Sequence, residues 1–104
     1  MAPRIRPADA DDAEDIAQIW YDAWSDGHRG NVPEALLAYR TRDQFSPRAA
    51  ERVPHSWVAE VDGRTVGFVT VDGDEVEQIF VDATARGTGL ATLLLDEGVR
   101  TIKA

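Results

Sequence analysis

Residues 75–91 read EVEQIFVDATARGTGLA, a β-rich run that leads through small and polar residues into a glycine-containing segment. Ile79, Phe80 and Val81 favour a strand. After the glycines, apolar residues recur at helical spacing, at Leu90, Leu93, Leu94, Val99 and Ile102. A loop between a strand and a helix start collects backbone N–H groups without partners, and the helix dipole adds about half a positive charge there. The segment therefore predicts a strand, an anion-binding loop and a helix.

The loop residues suit a diphosphate. Gly87 and Gly89 can adopt backbone conformations closed to other residues and let a phosphate approach the chain, and Arg86 supplies a permanent cation. Ala91 is small where the helix begins close to the ligand. The predicted cofactor-binding loop consists of Arg86, Gly87, Thr88, Gly89, Leu90 and Ala91.

Two other phosphate motifs fit less well. A Walker loop needs a Gly-Lys-Ser/Thr ending, which is absent. The dinucleotide fingerprint needs a third glycine where Thr92 stands, and too little chain follows for its parallel strand and ribose-binding acid. On these residues alone, a plain strand-to-helix turn with two glycines remains an alternative.

Two hairpins precede the loop. Asp62-Gly63 and Asp72-Gly73 separate β-rich runs, and Asp-Gly is a strong signal for a two-residue hairpin because both central positions need positive φ. The sequence predicts a three-stranded antiparallel meander that ends with the strand Glu75–Val81.

The N-terminal half predicts one short strand and then helices. Ile5 before Pro7 suits a strand, and Asp9, Asp11 and Asp12 suit the start of an amphipathic helix that closes at Gly27. A shorter helix is predicted from Pro33, and a short helical turn from Ser46-Pro47 to Val53. The predicted order is β, α, α, three antiparallel strands, loop and α.

Composition limits the class of protein. The 104 residues suit one domain over residues 1–104, and a net charge of −8 disfavours a nucleic-acid partner. The sequence has no cysteine and no apolar stretch near the roughly 20 residues of a membrane span, so we expect a cytoplasmic protein with no membrane association.

The loop and its flanks resemble motif A of the GNAT superfamily of N-acetyltransferases. The resemblance lies in Val81, Arg86, Gly87, Gly89, Leu90, Ala91 and Leu93-Leu94, and the predicted element order agrees over residues 4–103. It implies an α/β (α+β) acyltransferase fold with acetyl-CoA as co-substrate and no metal. In this family the backbone at Ile79, Phe80 and Val81 would pair with the pantetheine arm while the loop holds the pyrophosphate. A primary amine would attack the thioester directly, with an N–H near Ile79 stabilising the oxyanion.

Candidate catalytic and substrate-binding residues follow from the same resemblance. Glu75 and Glu77 lie on the pantetheine strand two positions apart, so either is a candidate general base, although both could be solvated surface acids. Tyr21, Trp24 and His28 lie at the end of the first helix, where members often build the acceptor wall, although Trp24 and Trp20 also lie on the apolar stripe. Tyr21 and His28 lie off that stripe.

The family pattern continues past Ala104 with a fifth strand, a fourth helix and a closing hairpin. We therefore expect an unpaired edge on the strand Glu75–Val81, and a homo-oligomer that forms through this edge. Tyr21 and Tyr39 are the tyrosines present, and neither takes the place of the family's general acid. Two function classes stay open: an active N-acetyltransferase, or an inactive domain that binds CoA or a partner.

Overall fold

The computed structural model describes residues 3–28 and 41–103. Its strands are β1 (Arg4–Pro7), β2 (Ser56–Val61), β3 (Arg64–Asp72) and β4 (Glu75–Val81). Its helices are α1 (Ala13–His28), α2 (Phe45–Arg52) and α3 (Leu90–Lys103). The helix predicted from Pro33 lies outside the described residues. Elsewhere the predicted order of elements matches, with boundaries that differ by a residue or two.

The four strands form one antiparallel sheet in the order β1-β2-β3-β4. Each strand pairs with its neighbour in sequence, so β2 to β4 form the predicted meander and β1 extends it beside β2. β4 lies at one edge of the sheet, next to the glycine-containing loop.

The two hairpins differ in their turns. Asp62 and Gly63 both have positive φ, at 53° and 79°, as the Asp-Gly pattern predicts. The second turn was placed wrongly at Asp72-Gly73: Asp72 pairs with Glu75, so Gly73 and Asp74 form the tip. Of these two only Gly73 has positive φ, at 62°, which fits a turn that needs glycine at its first central position.

The sheet is covered on both faces. On one face α1 and α2 bury a cluster built around Ile16, Phe45 and Phe68. On the other face α3 packs through Leu90 and Leu94 against Val66 and Val69. The meander thus acts as a central layer, and α3 fixes the position of the loop relative to β4.

An ion-pair network holds the start of α1 to the sheet. The Arg6 guanidinium on β1 donates to both carboxylate oxygens of Asp12, at 2.8 and 3.0 Å, and also to Glu60 on β2. Asp12 also accepts the backbone N–H of Asp9, whose own side chain caps the turn before α1. The hydrogen bonds from Arg6 hold the pKa of the Asp12 carboxyl below its usual value, and Asp12 raises the pKa of Arg6.

No helix within the described ranges is both long and apolar enough to cross a membrane.

Candidate active site

The loop between β4 and α3 places two glycines in conformations that other residues avoid. Gly87 and Gly89 have φ of 80° and 82°, and the space that a Cβ would occupy at each has no atom within 4 Å. A short 3-10 turn at Ala83–Ala85 leads into them, and the Thr88 hydroxyl donates to the Ala85 carbonyl. The glycines are therefore required by backbone conformation, and open space lies beside them.

The start of α3 adds donors to that space. The Leu93 N–H donates to the Gly89 carbonyl at 3.3 Å, so Gly89 is the N-cap residue of α3. The N–H groups of the first turn have no acceptor within the helix, and glycine has no side chain to cap them. These amides and the positive end of the helix dipole suit a bound anion.

Arg86 lies beside α1 as well as in the loop. Its guanidinium is 3.7 Å from the Asp26 carboxylate, and both side chains are half exposed. A cavity of about 200 Å³ separates α1 from the end of β4, and Tyr21, Asp22, Val81 and Arg86 are among its lining residues. The structure thus brings predicted substrate-binding and cofactor-binding residues to one cavity.

A larger cleft lies on the α3 side of the loop. It has a volume of about 520 Å³ and is lined by Val61, Arg64, Val66, Thr88 and Leu90 among others. Arg64 bonds there to the Asp82 carboxylate, which also accepts the Thr84 hydroxyl. The hydrogen bond from the Thr84 hydroxyl and that from Arg64 hold the pKa of the Asp82 carboxyl below its usual value.

The backbone edge at Ile79, Phe80 and Val81 is open in the described part of the chain, where β3 is the one strand that pairs with β4. Ile79 and Val81 pack towards α3, and Phe80 packs towards α1 and α2. Alternate side chains therefore anchor the strand on both faces while its outer N–H and C=O groups point away from the sheet.

A bulge separates the two predicted bases. Thr70 pairs with Gln78 and Val71 with Val76, so Glu77 is an extra residue in β4 with no partner in β3. Its carboxylate accepts the Arg52 Nε at 2.7 Å, and this hydrogen bond lowers the pKa of Glu77. Glu75 lies at the first position of β4, opposite Asp72, and is exposed.

Two of the residues predicted to bind the acceptor, Tyr21 and Trp24, pack against the hydrophobic core. Tyr21 was expected off the apolar stripe, but its ring centroid lies 5.6 Å from that of Phe45 and 6.4 Å from that of Trp24. Trp24, which lies on the predicted stripe, is 6.1 Å from Phe45. The added contact of Tyr21 shows that the surface of α1 that faces the core is wider than the spacing predicts. The side chain of His28 lies outside the described residues.

The site predicted from the sequence does not include three residues that lie near it in the structure. Arg52 and Asp26 give no local signal, because their contacts with Glu77 and Arg86 join distant parts of the chain. Gln78 did give one, since it is a polar residue within the apolar part of β4.

Comparison with known families identifies the class. The model of the acetyltransferase (GNAT) family matches residues 13–104. An uncharacterized N-acetyltransferase of Archaeoglobus fulgidus is 27% identical over 107 aligned positions, which cover 91% of this chain and 70% of the relative.

Solved structures agree in fold. The PaiA N-acetyltransferase of Thermoplasma acidophilum, solved in complex with coenzyme A, superposes with a TM-score of 0.81 at 16% identity, covering 99% of this chain and 73% of that one. The apo form of YjaB from Escherichia coli gives a TM-score of 0.71 at 22% identity, covering 97% of this chain and 67% of that one. The predicted fold class is confirmed.

Proposed function

The chain belongs to the acetyltransferase (GNAT) family, and on that premise we propose that it transfers an acetyl group from acetyl-CoA to a primary amine. The observation that carries the proposal is the loop after β4. Gly87 and Gly89 hold positive φ beside open space, and α3, whose first N–H groups have no acceptor within the helix, begins directly after Gly89.

The proposed cofactor site runs from the loop along β4. The pyrophosphate binds the amides of Arg86, Gly87, Thr88, Gly89, Leu90 and Ala91, and the pantetheine arm pairs with the open backbone edge at Ile79, Phe80 and Val81. Arg86 leaves Asp26 to meet the phosphates, at small cost because the ion pair is half exposed. The PaiA structure bound to coenzyme A supports this choice of ligand.

In this proposal the amine attacks the thioester directly, which is consistent with a sequence that has no cysteine to carry the acetyl group. Glu75 and Glu77 stay the predicted general bases. Glu75 is the stronger candidate, since the hydrogen bond from Arg52 lowers the pKa of Glu77 and so weakens Glu77 as a proton acceptor. Full turnover in a Glu75→Gln, Glu77→Gln double variant would contradict both assignments.

The acceptor enters beside the first helix in this proposal. Tyr21, Trp24 and His28 stay the predicted acceptor wall, and Tyr21 lines the cavity that Arg86 shares. We also propose a cytoplasmic, homo-oligomeric protein that associates through the β4 edge, where a second copy would compete with the pantetheine arm for the same backbone groups.

The proposal is tested by two measurements on one preparation. Calorimetric titration measures acetyl-CoA binding, and release of free CoA thiol measures turnover with a panel of primary amines. Arg86→Ala is expected to weaken acetyl-CoA binding about tenfold, because a charge-assisted hydrogen bond is lost.

Arg100→Ala is the matched control, since Arg100 is an exposed arginine paired with Glu97 within α3. It should bind acetyl-CoA like the wild type. Binding without thiol release would instead indicate a domain that binds CoA and lacks activity. Absence of binding would refute both functions.

A further inference from the structure

The side-chain oxygen of Gln78 is buried and has no hydrogen-bond partner in the described part of the chain. Desolvating an amide oxygen without supplying a donor destabilises a protein, so an unpaired acceptor of this kind calls for an explanation. Gln78 lies on β4, the strand that carries the proposed pantetheine edge.

The orientation of the Gln78 amide is fixed by Glu77. The Gln78 Nε2 donates to Glu77 Oε1 at 2.9 Å, and the same carboxylate oxygen accepts the Arg52 Nε. An ionised carboxylate only accepts hydrogen bonds, so the nitrogen of the amide has to face Glu77. The oxygen therefore faces away from Glu77, and exchanging the two atoms would not satisfy it.

The nearest hydroxyl across the sheet cannot supply the missing donor. Gln78 pairs with Thr70, and Thr70 pairs with Ser56. The Ser56 hydroxyl gives its one proton to the Arg52 carbonyl at 2.7 Å. In the 2.7 Å contact between the Ser56 and Thr70 hydroxyls, Thr70 must then be the donor, so its proton is already used.

The position of Gln78 points to a ligand at the open edge. The bulge places Glu77 and Gln78 together, and Glu77 contacts Arg52 of α2. Gln78 is two residues before Phe80, which packs on the same side as α1 and α2. The side chain as a whole is partly exposed, so the buried oxygen lies close to the surface at this edge.

We propose that the Gln78 Oε1 accepts a hydrogen bond from the nitrogen of the acceptor amine and so binds the amine beside β4. This inference rests on the proposed function and adds to it a substrate contact. The amine supplies the donor that the oxygen lacks, and the carboxylate of Glu77 beside it favours a protonated amine on arrival. Glu77 then orients Gln78, while Arg52 holds Glu77 in place.

Gln78→Met tests the contact, because methionine keeps the length of the side chain and removes the unpaired oxygen. With putrescine, lysine amide and an N-terminally free peptide as probes, the KM for the amine should rise about tenfold or more. The kcat and the KM for acetyl-CoA should stay within about twofold, as expected for loss of uniform substrate binding. The midpoint of urea unfolding should stay the same or rise.

Gln18→Met is the matched control. The Gln18 oxygen accepts the Arg42 Nε at 2.8 Å and its nitrogen donates to Asp22, so this glutamine is satisfied. Gln18→Met should leave both KM values unchanged and lower the unfolding midpoint only slightly, because its hydrogen bonds are exposed.

Several results would overturn the inference. An unchanged amine KM in Gln78→Met, or wild-type protein that acetylates none of the three probes, removes the proposed contact. A fall of about 1 kcal/mol or more in the stability of Gln78→Met reveals a hidden donor such as a buried water. A raised KM for acetyl-CoA with an unchanged amine KM assigns the oxygen to a pantetheine amide instead. In each case acetyl-CoA titration of the wild type reports separately on the proposed function.

Discussion

Asp12 is the one charged residue that is buried in the described part of the chain. The residue is 4% exposed, and its carboxylate is the point at which β1, α1 and the Arg6 guanidinium meet. A paired charge in such a place stabilises the fold only while the partner is present, since the remaining ion would be left desolvated. The structure thus links the start of α1 to the sheet through one side chain.

Asp12→Asn is expected to lower the free energy of unfolding by about 2–3 kcal/mol at neutral pH, as loss of a charged, largely buried partner does. Because folding lowers the pKa of Asp12, its contribution is present above the ordinary value of 3.8 and is lost as the pH falls through the folded value. Urea unfolding at several pH values measures this difference.

The control is Asp11→Asn, since Asp11 is an exposed neighbour, and it should stay within about 0.5 kcal/mol of the wild type. A difference between wild type and Asp12→Asn that persists undiminished in acid would show that the carboxylate charge is not the cause.

The features of the site that depend on single residues could be predicted from the sequence, and those that depend on contacts between distant residues could not. Asp62-Gly63 and the loop glycines were predictable, because a need for positive φ is a property of single positions. The bulge at Glu77 was not, since an alternating pattern of period two does not reveal an inserted residue. The contact of Glu77 with Arg52 joins residues 25 apart in sequence and so has no local signature.

Helix α3 depends on a glycine for its approach to the sheet. A Cβ at Gly98 would lie 3.2 Å from a methyl group of Val69 and 3.3 Å from one of Val76. Glycine lowers helix propensity, but here it lets α3 lie close to β3 and β4. Because α3 begins directly after Gly89, this packing helps to set the position of the loop between β4 and α3.

Gly98→Leu is expected to lower the free energy of unfolding by about 2 kcal/mol, because overpacking outweighs the gain in helix propensity. Thr92→Leu, at an exposed position of the same helix, should change stability by no more than about 0.5 kcal/mol. Denaturant unfolding compares the two. Equal stability of the two variants would contradict the close packing of α3.

At the level of the whole molecule, the described chain combines an open strand edge with exposed apolar side chains. β4 is an edge strand, and Leu93, Leu95 and Val99 of α3 are 43%, 43% and 37% exposed. Unpaired edges and apolar surface favour association, whereas a net charge of −8 opposes it. Self-association stays a prediction that depends on this balance.

Sedimentation velocity across micromolar concentrations should show a dimer whose fraction rises with salt, because salt screens the repulsion between like-charged copies. A Leu95→Glu, Val99→Glu variant should dimerise more weakly, because two acids replace exposed apolar surface that favours association. A wild-type chain that is monomeric at every concentration and salt level would exclude the predicted association.

We propose that the loop from Arg86 to Ala91 binds the pyrophosphate of coenzyme A. Gly89 and Gly73 make a matched pair for testing it, since both have positive φ and neither has an atom within 4 Å of its Cβ position. Alanine at either site introduces similar backbone strain, of about 1 kcal/mol. Gly89 lies in the loop, whereas Gly73 lies at the tip of the β3–β4 hairpin.

The most direct measurement is calorimetric titration of coenzyme A into the wild type, Gly73→Ala and Gly89→Ala. The wild type and Gly73→Ala are predicted to bind with the same Kd, and Gly89→Ala at least about tenfold more weakly, because its methyl group occupies space that the phosphate needs. Equal Kd values for all three proteins, or no binding by the wild type, would show that this loop does not bind the pyrophosphate of coenzyme A.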